Sequence, residues 1–289
     1  MISKDTLFST KQTITCRGRL IDFSTPRLTG ILNITPDSFY DGGRYPEEKN
    51  IVERATAILA EGGDIIDVGA YSSRPGAADI APEEELNRLI KALKPVRKNF
   101  PDAVISVDTF RAGVAEYVAG EFGVDIINDI SAGLMDKNMF RTVGRLGVPY
   151  VMMHMLGTPQ NMQNNPKYHD VTRDIISFFS HRLAHAAEAG IRDIILDPGI
   201  GFGKTIGHNF ILLRELSLFT MLGFPIMIGV SRKSLIYKTL GTIPENALNG
   251  TTVLNTLALQ NGASILRVHD VREAREAVRL FTLYQNASE

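Results

Sequence analysis

Residues 103–109 read Ala-Val-Ile-Ser-Val-Asp-Thr, a β-branched apolar run that stops at a carboxylate. Apolar residues on both parities of so short a run suit a strand buried on both faces, as in a parallel sheet covered by helices. The pattern recurs at Leu28 to Ile34, Asp64 to Val68, Val124 to Ile127, Pro149 to Met153, Asp193 to Leu196, Pro225 to Val230 and Ser264 to Val268. Between the runs the apolar residues take helical spacing: Ile51, Ala55, Ile58, Leu59, then Leu86, Leu89, Ile90, Leu93, and later Val271, Ala274, Val278, Leu283. Strand followed by helix, repeated through a chain of 289 residues, predicts an α/β fold of the (β/α)8 TIM-barrel type, with an open doubly wound sheet as the alternative. Thr13 to Thr15 and Leu20 to Phe23 flank Arg17-Gly18-Arg19 and predict an N-terminal β-hairpin that closes the barrel bottom. The expected organisation is a single domain over 1–289, with the hairpin in 1–26 and the barrel in 27–285.

Charge and composition narrow the function classes. There are 31 Lys+Arg against 32 Asp+Glu, so a formal charge of −1 offers no electrostatic case for a nucleic-acid partner. With 44% hydrophobic and 22% charged residues the chain is globular rather than disordered. Cys16 is the single cysteine, which excludes an internal disulfide, and the start MISKDTLFSTKQ lacks a basic-then-apolar signal pattern. A cytoplasmic location follows as the expectation. Leu216 to Ser231 is the longest apolar uncharged stretch, and it falls short of the roughly 18 to 20 residues a bilayer span needs.

In a barrel of this type the reactive groups gather where the strands end, so the residues after each apolar run carry the functional reading. These ends are polar throughout: Asn33, Asp67, Asp108, Asn128-Asp129, Met152 with His154, Asp197, Ser231-Arg232-Lys233-Ser234 and Arg267-Val268-His269-Asp270. One such end is explained by a helix cap, but a whole rim of buried amides and charges points to a ligand. Asp108, Asn128 and Asp197 suit a flat heterocycle rich in donors, whereas Arg267, His269, Lys233 and Arg74 suit an anion. The helical stretch opening at Ser231 to Ser234 is a second anion site, through the free N–H groups of its first turn. Two glycine- and proline-bearing loops, Thr35 to Tyr45 and Ala70 to Pro82, are expected to cover the site and exclude water.

Three motifs fail. Gly199 to Thr205 resembles a phosphate loop, but Pro198 stands where its first glycine belongs. His181 and His185 have helical zinc-site spacing, yet Arg182 occupies the place of the required glutamate. Cys16 lies in the hairpin, far from the strand ends, and reads as a packed thiol.

Taken together, Gly30-Ile-Leu-Asn-Ile-Thr-Pro-Asp-Ser-Phe39, Ser73-Arg-Pro-Gly76, Ile105-Ser-Val-Asp-Thr109, Ile126-Ile-Asn-Asp129, Met153-His-Met155, Asp197-Pro-Gly-Ile-Gly-Phe-Gly-Lys204, Gly229-Val-Ser-Arg-Lys-Ser234 and Arg267-Val-His-Asp270 resemble the dihydropteroate synthase family of pterin-binding enzymes. The resemblance runs from Gly30 to Leu280. It implies a transferase that condenses 6-hydroxymethyl-7,8-dihydropterin diphosphate with 4-aminobenzoate in folate biosynthesis, releasing pyrophosphate, with Mg²⁺ as cofactor. By the family pattern Asp108, Asn128, Met152, Asp197 and Lys233 would bind the pterin. Asn33, Ser73, Arg74, Arg267 and His269 would hold the diphosphate, with Asn33 the metal ligand. Phe39, Pro75, Phe202, Lys233 and Ser234 would hold aminobenzoate. The family also implies a homodimer and sensitivity to sulfonamides. One departure stands out: where the family reads Gly-Gly-Glu-Ser-Thr-Arg-Pro-Gly, this chain reads Gly69-Ala-Tyr-Ser-Ser-Arg-Pro-Gly76, so Tyr71 replaces an acid. Two other readings are a pterin-dependent methyltransferase module and a non-catalytic pterin-binding paralogue.

Overall fold

The structure, a computed structural model, describes residues 11–34, 44–72 and 79–287. It opens on an antiparallel hairpin of β1 (Thr13–Cys16) and β2 (Arg19–Asp22). Arg17 and Gly18 between them both take positive φ, 47° and 76°, as the tight turn of a right-twisted hairpin requires.

Eight parallel strands follow in barrel order: β3 (Arg27–Asn33), β4 (Ile65–Gly69), β5 (Val104–Asp108), β6 (Ile126–Asp129), β7 (Tyr150–Met153), β8 (Ile194–Asp197), β9 (Met227–Ile228) and β10 (Ile265–Val268). β10 pairs with both β9 and β3, and a bridge from Leu196 to Ile226 joins β8 to the start of β9, so the ring closes. The expected barrel is therefore the observed one, and the open sheet is excluded. The Pro225 to Val230 run yields only two ladder residues. Outside the ring lie α1 (Arg44–Ala60), α2 (Pro82–Asn99), α3 (Ala112–Phe122), α4 (Met139–Leu146), α5 (Val171–Glu188), α6 (Ile206–Arg214), α7 (Ser234–Tyr237), α8 (Leu248–Gln260) and α9 (Val271–Gln285). Among the described residues no helix is long and apolar enough to cross a membrane.

Strand pleat sorts the side chains into two shells. Ile65, Ile126, Val151, Ile195, Met227 and Ile265 point inward and form a lower layer, which Ile14, Cys16 and Phe23 of the hairpin segment cover from below. Their neighbours Ile66, Ile127, Tyr150, Met152, Leu196 and Leu266 point outward into the helices. The inner positions two residues beyond that lower layer form the floor of the upper mouth, and there the side chains change from apolar to polar.

Candidate active site

Two residues up from Ile65, Ile126, Ile195 and Ile265 stand Asp67, Asn128, Asp197 and Arg267, all on the inner parity. Asp108 is level with Asn128 and Gly69 in the ladders, and Asn33 with Gly69. The same alternation corrects one expectation. Val151 faces inward, so Met153 does too, whereas Met152 is fully buried in the outer shell and cannot reach a ligand at the mouth. Met153 instead joins Tyr71, Phe110, Ile130, Met155 and Met162, with Phe202 packed against them, in an apolar cluster beside the rim.

Arg267 ties the acceptors together. Its Nε donates to Asp67 Oδ2 at 2.7 Å, its Nη2 donates to Asp108 Oδ2 at 3.0 Å, and Asn128 Nδ2 donates to Asp67 Oδ2 at 3.3 Å. Burial works against the guanidinium charge, but Asp67 and Asp108 hold it above its ordinary range. Burial pushes the Asp108 carboxyl up to about 7, with Arg267 opposing the rise and Asp67 adding to it. Two carboxylates around one guanidinium leave an excess negative charge, and a raised Asp108 relieves it.

Across the mouth, Asp197 is buried and its Oδ1 accepts from the Gly199 N–H at 2.7 Å. Burial raises its pKa, with Lys233 the leading opposing charge. Lys233 Nζ donates to the Ile200 carbonyl at 2.5 Å and stands 4.7 Å from the centre of the Phe202 ring. Burial lowers the ammonium to about 8, with Asp197 opposing. The loop beneath it owes its shape to glycine: Gly199 has φ +72°, and a Cβ there would stand 1.9 Å from the His154 carbonyl oxygen. Gly199 and Gly203 of the phosphate-loop look-alike thus serve close backbone approach.

Lys204, at the end of that loop, is buried. Its Nζ lies 3.0 Å from His154 Nδ1 and donates to the Phe202 carbonyl at 2.9 Å. Burial pulls its pKa well below the usual lysine range, and Asp197 opposes that pull. It fastens the loop carrying Phe202 to the end of β7.

His269 closes the ring of strand ends. Its N–H donates to Ser231 Oγ at 3.2 Å and its carbonyl accepts from Arg54 Nη2 at 2.6 Å. Burial, then Arg267, lowers the imidazole to about 4, so it is a neutral ring at pH 7. Ser234 begins α7, which has only four residues, so an anion there would meet one short turn rather than a long helix dipole.

Asn33, Asp108, Asn128, Asp197, Phe202, Lys233, Arg267 and His269 are thus borne by the strand ends and the loops that follow them, and Ser234 by the first position of α7. Phe39, Ser73, Arg74 and Pro75 lie outside the described residues. Asp67, Met153 and Lys204 were not in the expected site. Asp67 was visible as a strand-end acid, and Lys204 only as part of a failed motif. His181 and His185 are exposed on α5, as expected for surface histidines.

Residues 29–269 match the family described as pterin binding enzyme. The chain is 40% identical over 275 residues to dihydropteroate synthase of Escherichia coli strain K12, covering 94% of this chain and 96% of that one. The chain belongs to the dihydropteroate synthase family. Among solved members of that family, Yersinia pestis dihydropteroate synthase in a sulfonamide drug complex superposes with a TM-score of 0.89 at 38% identity, over 95% of this chain and 100% of that one. Xanthomonas albilineans dihydropteroate synthase with 4-aminobenzoic acid superposes with a TM-score of 0.89 at 36% identity, over 96% of this chain and 100% of that one.

The departure from the family's second loop now has a setting. The Tyr71 ring meets Phe110 edge-on, with centroids 5.0 Å apart, and the Arg111 guanidinium lies 5.6 Å from its centroid. Its hydroxyl accepts from Gln160 Nε2 at 2.9 Å. Arg111 also pairs with the buried Glu85 and donates to the Ile80 carbonyl. An aromatic ring beside a cation thus stands where the resemblance implies a carboxylate.

Proposed function

We propose that the protein joins 6-hydroxymethyl-7,8-dihydropterin diphosphate to 4-aminobenzoate and releases pyrophosphate, by a dissociative displacement in folate biosynthesis. The observation that carries this reading is the inner rim itself: Asp108, Asn128 and Asp197 present acceptors and an amide around one mouth, with the Arg267 and Lys233 cations among them. A pterin edge with several N–H donors matches those acceptors, and Met153 supplies an apolar contact in place of Met152. Arg267 and His269, joined by Ser73 and Arg74, are proposed to hold the diphosphate as it leaves. Phe202 and Lys233, with Phe39, Pro75 and Ser234, are proposed to hold aminobenzoate.

In the reaction the bond from the pterin methylene carbon to the diphosphate oxygen breaks, the arylamine nitrogen bonds to that carbon, and one amine proton is released. Arg267 offsets charge building on the leaving oxygens. The arylamine is a weak nucleophile, so the protein's contribution is to hold it against the methylene carbon, which is worth up to about 7–11 kcal/mol.

Mg²⁺ is proposed as cofactor with Asn33 as its protein ligand. A Cβ on Gly69 would stand 3.2 Å from Asn33 Oδ1 and 3.9 Å from Asp108 Oδ2, so an amide oxygen and a carboxylate share one corner of the mouth. Among the described residues no group of three or more His, Cys, Asp or Glu could hold a metal. One amide oxygen beside a carboxylate fits an ion that keeps water and takes substrate phosphate oxygens as its other ligands. When bound with the diphosphate, magnesium supplies charge neutralisation on the leaving group.

A homodimer is proposed through α8 and α9, which pack on each other and leave Val253, Leu257, Leu280 and Leu283 exposed on their outer faces. A cytoplasmic location is proposed on the buried, unpaired Cys16.

The test is pyrophosphate release by the purified protein given pterin diphosphate and Mg²⁺, with and without 4-aminobenzoate, beside an Asp108→Ala control. Aminobenzoate-dependent release that vanishes in the control is expected. Tight pterin binding without turnover would favour the non-catalytic paralogue.

A further inference from the structure

Arg232 directly precedes Lys233 and Ser234, both assigned to ligands, yet its own side chain turns away from the mouth. Its backbone has φ +52°, in the left-handed region that a β-carbon disfavours. The turn is held from outside: the Arg232 N–H donates to Thr251 Oγ1 at 3.0 Å, and Thr251 is buried on α8. The guanidinium then grips Asp270 with two parallel bonds, Nε to Oδ2 at 2.9 Å and Nη2 to Oδ1 at 2.9 Å. Its remaining nitrogen, Nη1, donates to the carbonyls of Pro244 at 3.1 Å and Glu245 at 2.6 Å.

Each partner of that fork adjoins the site. Lys233 follows Arg232 directly, and His269 precedes Asp270 directly, with Arg267 two residues further back. A second link, His269 N–H to Ser231 Oγ, joins the same two segments on the inner side. The β9 exit and the β10 exit are therefore cross-linked twice, although only β9 residues Met227 and Ile228 pair in the ladder with β10. Beyond Ile228 the strand registers end, and the side-chain fork takes over the work of fixing the separation.

We infer that Arg232 is a positioning residue: through Asp270 it sets the distance between Lys233 on the pterin side and Arg267 with His269 on the diphosphate side. It thereby selects a ligand that spans both. The inference rests on the pterin and diphosphate assignments of the proposed function. A bidentate guanidinium–carboxylate pair suits this role because it fixes angle as well as distance, which a lysine ammonium does not.

The experiment measures binding by calorimetry of two ligands, the pterin diphosphate and the corresponding hydroxymethyl pterin without its diphosphate. The full-length protein is compared with R232K, R232G, D270N and the R232K/D270N double variant. Glycine accepts the positive φ, so R232G separates loss of the fork from backbone strain. The expected result is that R232K, R232G and D270N each lose about tenfold or more in affinity for the diphosphate, while the alcohol binds within about twofold of its original affinity. The double variant should be no worse than the weaker single, because both substitutions remove one interaction. Parallel loss for both ligands would assign Arg232 to general stability and overturn the inference, as would unchanged affinity for both or losses that multiply in the double variant. Equal binding of the two ligands by the unaltered protein would instead sink the diphosphate assignment, and the inference with it.

Discussion

Arg267 and Asp67 form an ion pair inside the barrel mouth, with Nε donating to a carboxylate that is itself fully buried. The guanidinium is therefore held at a fixed angle, because Asp67 takes its Nε and Nη2 and Asp108 shares Nη2. Asp67→Ala leaves a half-buried cation with half its partners, which should cost stability toward the lower end of the about 3–5 kcal/mol typical of breaking a fully buried pair. Urea unfolding checks this. Asp67→Asn, which keeps an oxygen toward Arg267, should lose less, and an unchanged midpoint in the alanine variant would show that the pair contributes nothing.

The two adjacent methionines of β7 should behave differently. Met152→Ala empties a position in the outer shell and should cost about 2–5 kcal/mol of stability with pterin affinity unaltered. Met153→Ala should weaken pterin binding in protein that remains folded. Calorimetric affinity alongside thermal unfolding separates the two, and the reverse pattern would overturn the pleat assignment.

Pterin affinity should peak between about pH 7 and pH 8. Asp108 must be ionised to accept from the ring, and in the free protein its pKa is raised to about 7, so binding releases a proton below that pH and weakens by up to about tenfold per unit. Lys233 is lowered to about 8, so above that pH its ammonium donor is lost and binding weakens again. His269, lowered to about 4, stays neutral across this window and adds no limb. A flat affinity profile from pH 6 to pH 9 would contradict these assignments.

At the second loop, Tyr71→Phe removes the hydroxyl with its hydrogen bonds to Gln160 and Asp79 and should cost about 1–2 kcal/mol. Tyr71→Ala removes the ring that meets Phe110 edge-on and lies beside the Arg111 guanidinium, and should cost more in both stability and kcat/KM. Equal effects from the two substitutions would mean that the hydroxyl rather than the ring matters.

The strands were legible because each is buried on both faces and so reads as a mainly apolar, β-branched run, broken only by single polar residues such as Thr29, Asp67 and Ser106. The same property hid the direction of their side chains. In Tyr150-Val-Met-Met153 nothing alternates, so the sequence holds no sign that Met153 rather than Met152 faces inward, and only the ladder decides it. Asp108, Asn128 and Asp197 were easier, since a polar residue closing an apolar run has few places to go but the mouth. Lys204 was obscured by a glycine pattern whose purpose is backbone approach. The Arg232 fork to Asp270 crosses 38 positions, and no local pattern announces such a pair.

The hairpin beneath the barrel carries the chain's single cysteine, fully buried under the lower layer, with burial pushing its thiol up to about 12. The thiolate is the form that attacks alkylating reagents, so Cys16 should be silent while the hairpin stays seated and should react as soon as it lifts. The rate of labelling is thus a chemical clock for the base of the barrel, read without introducing any probe. Comparing that clock with and without substrate would show whether filling the mouth tightens the opposite end of the molecule.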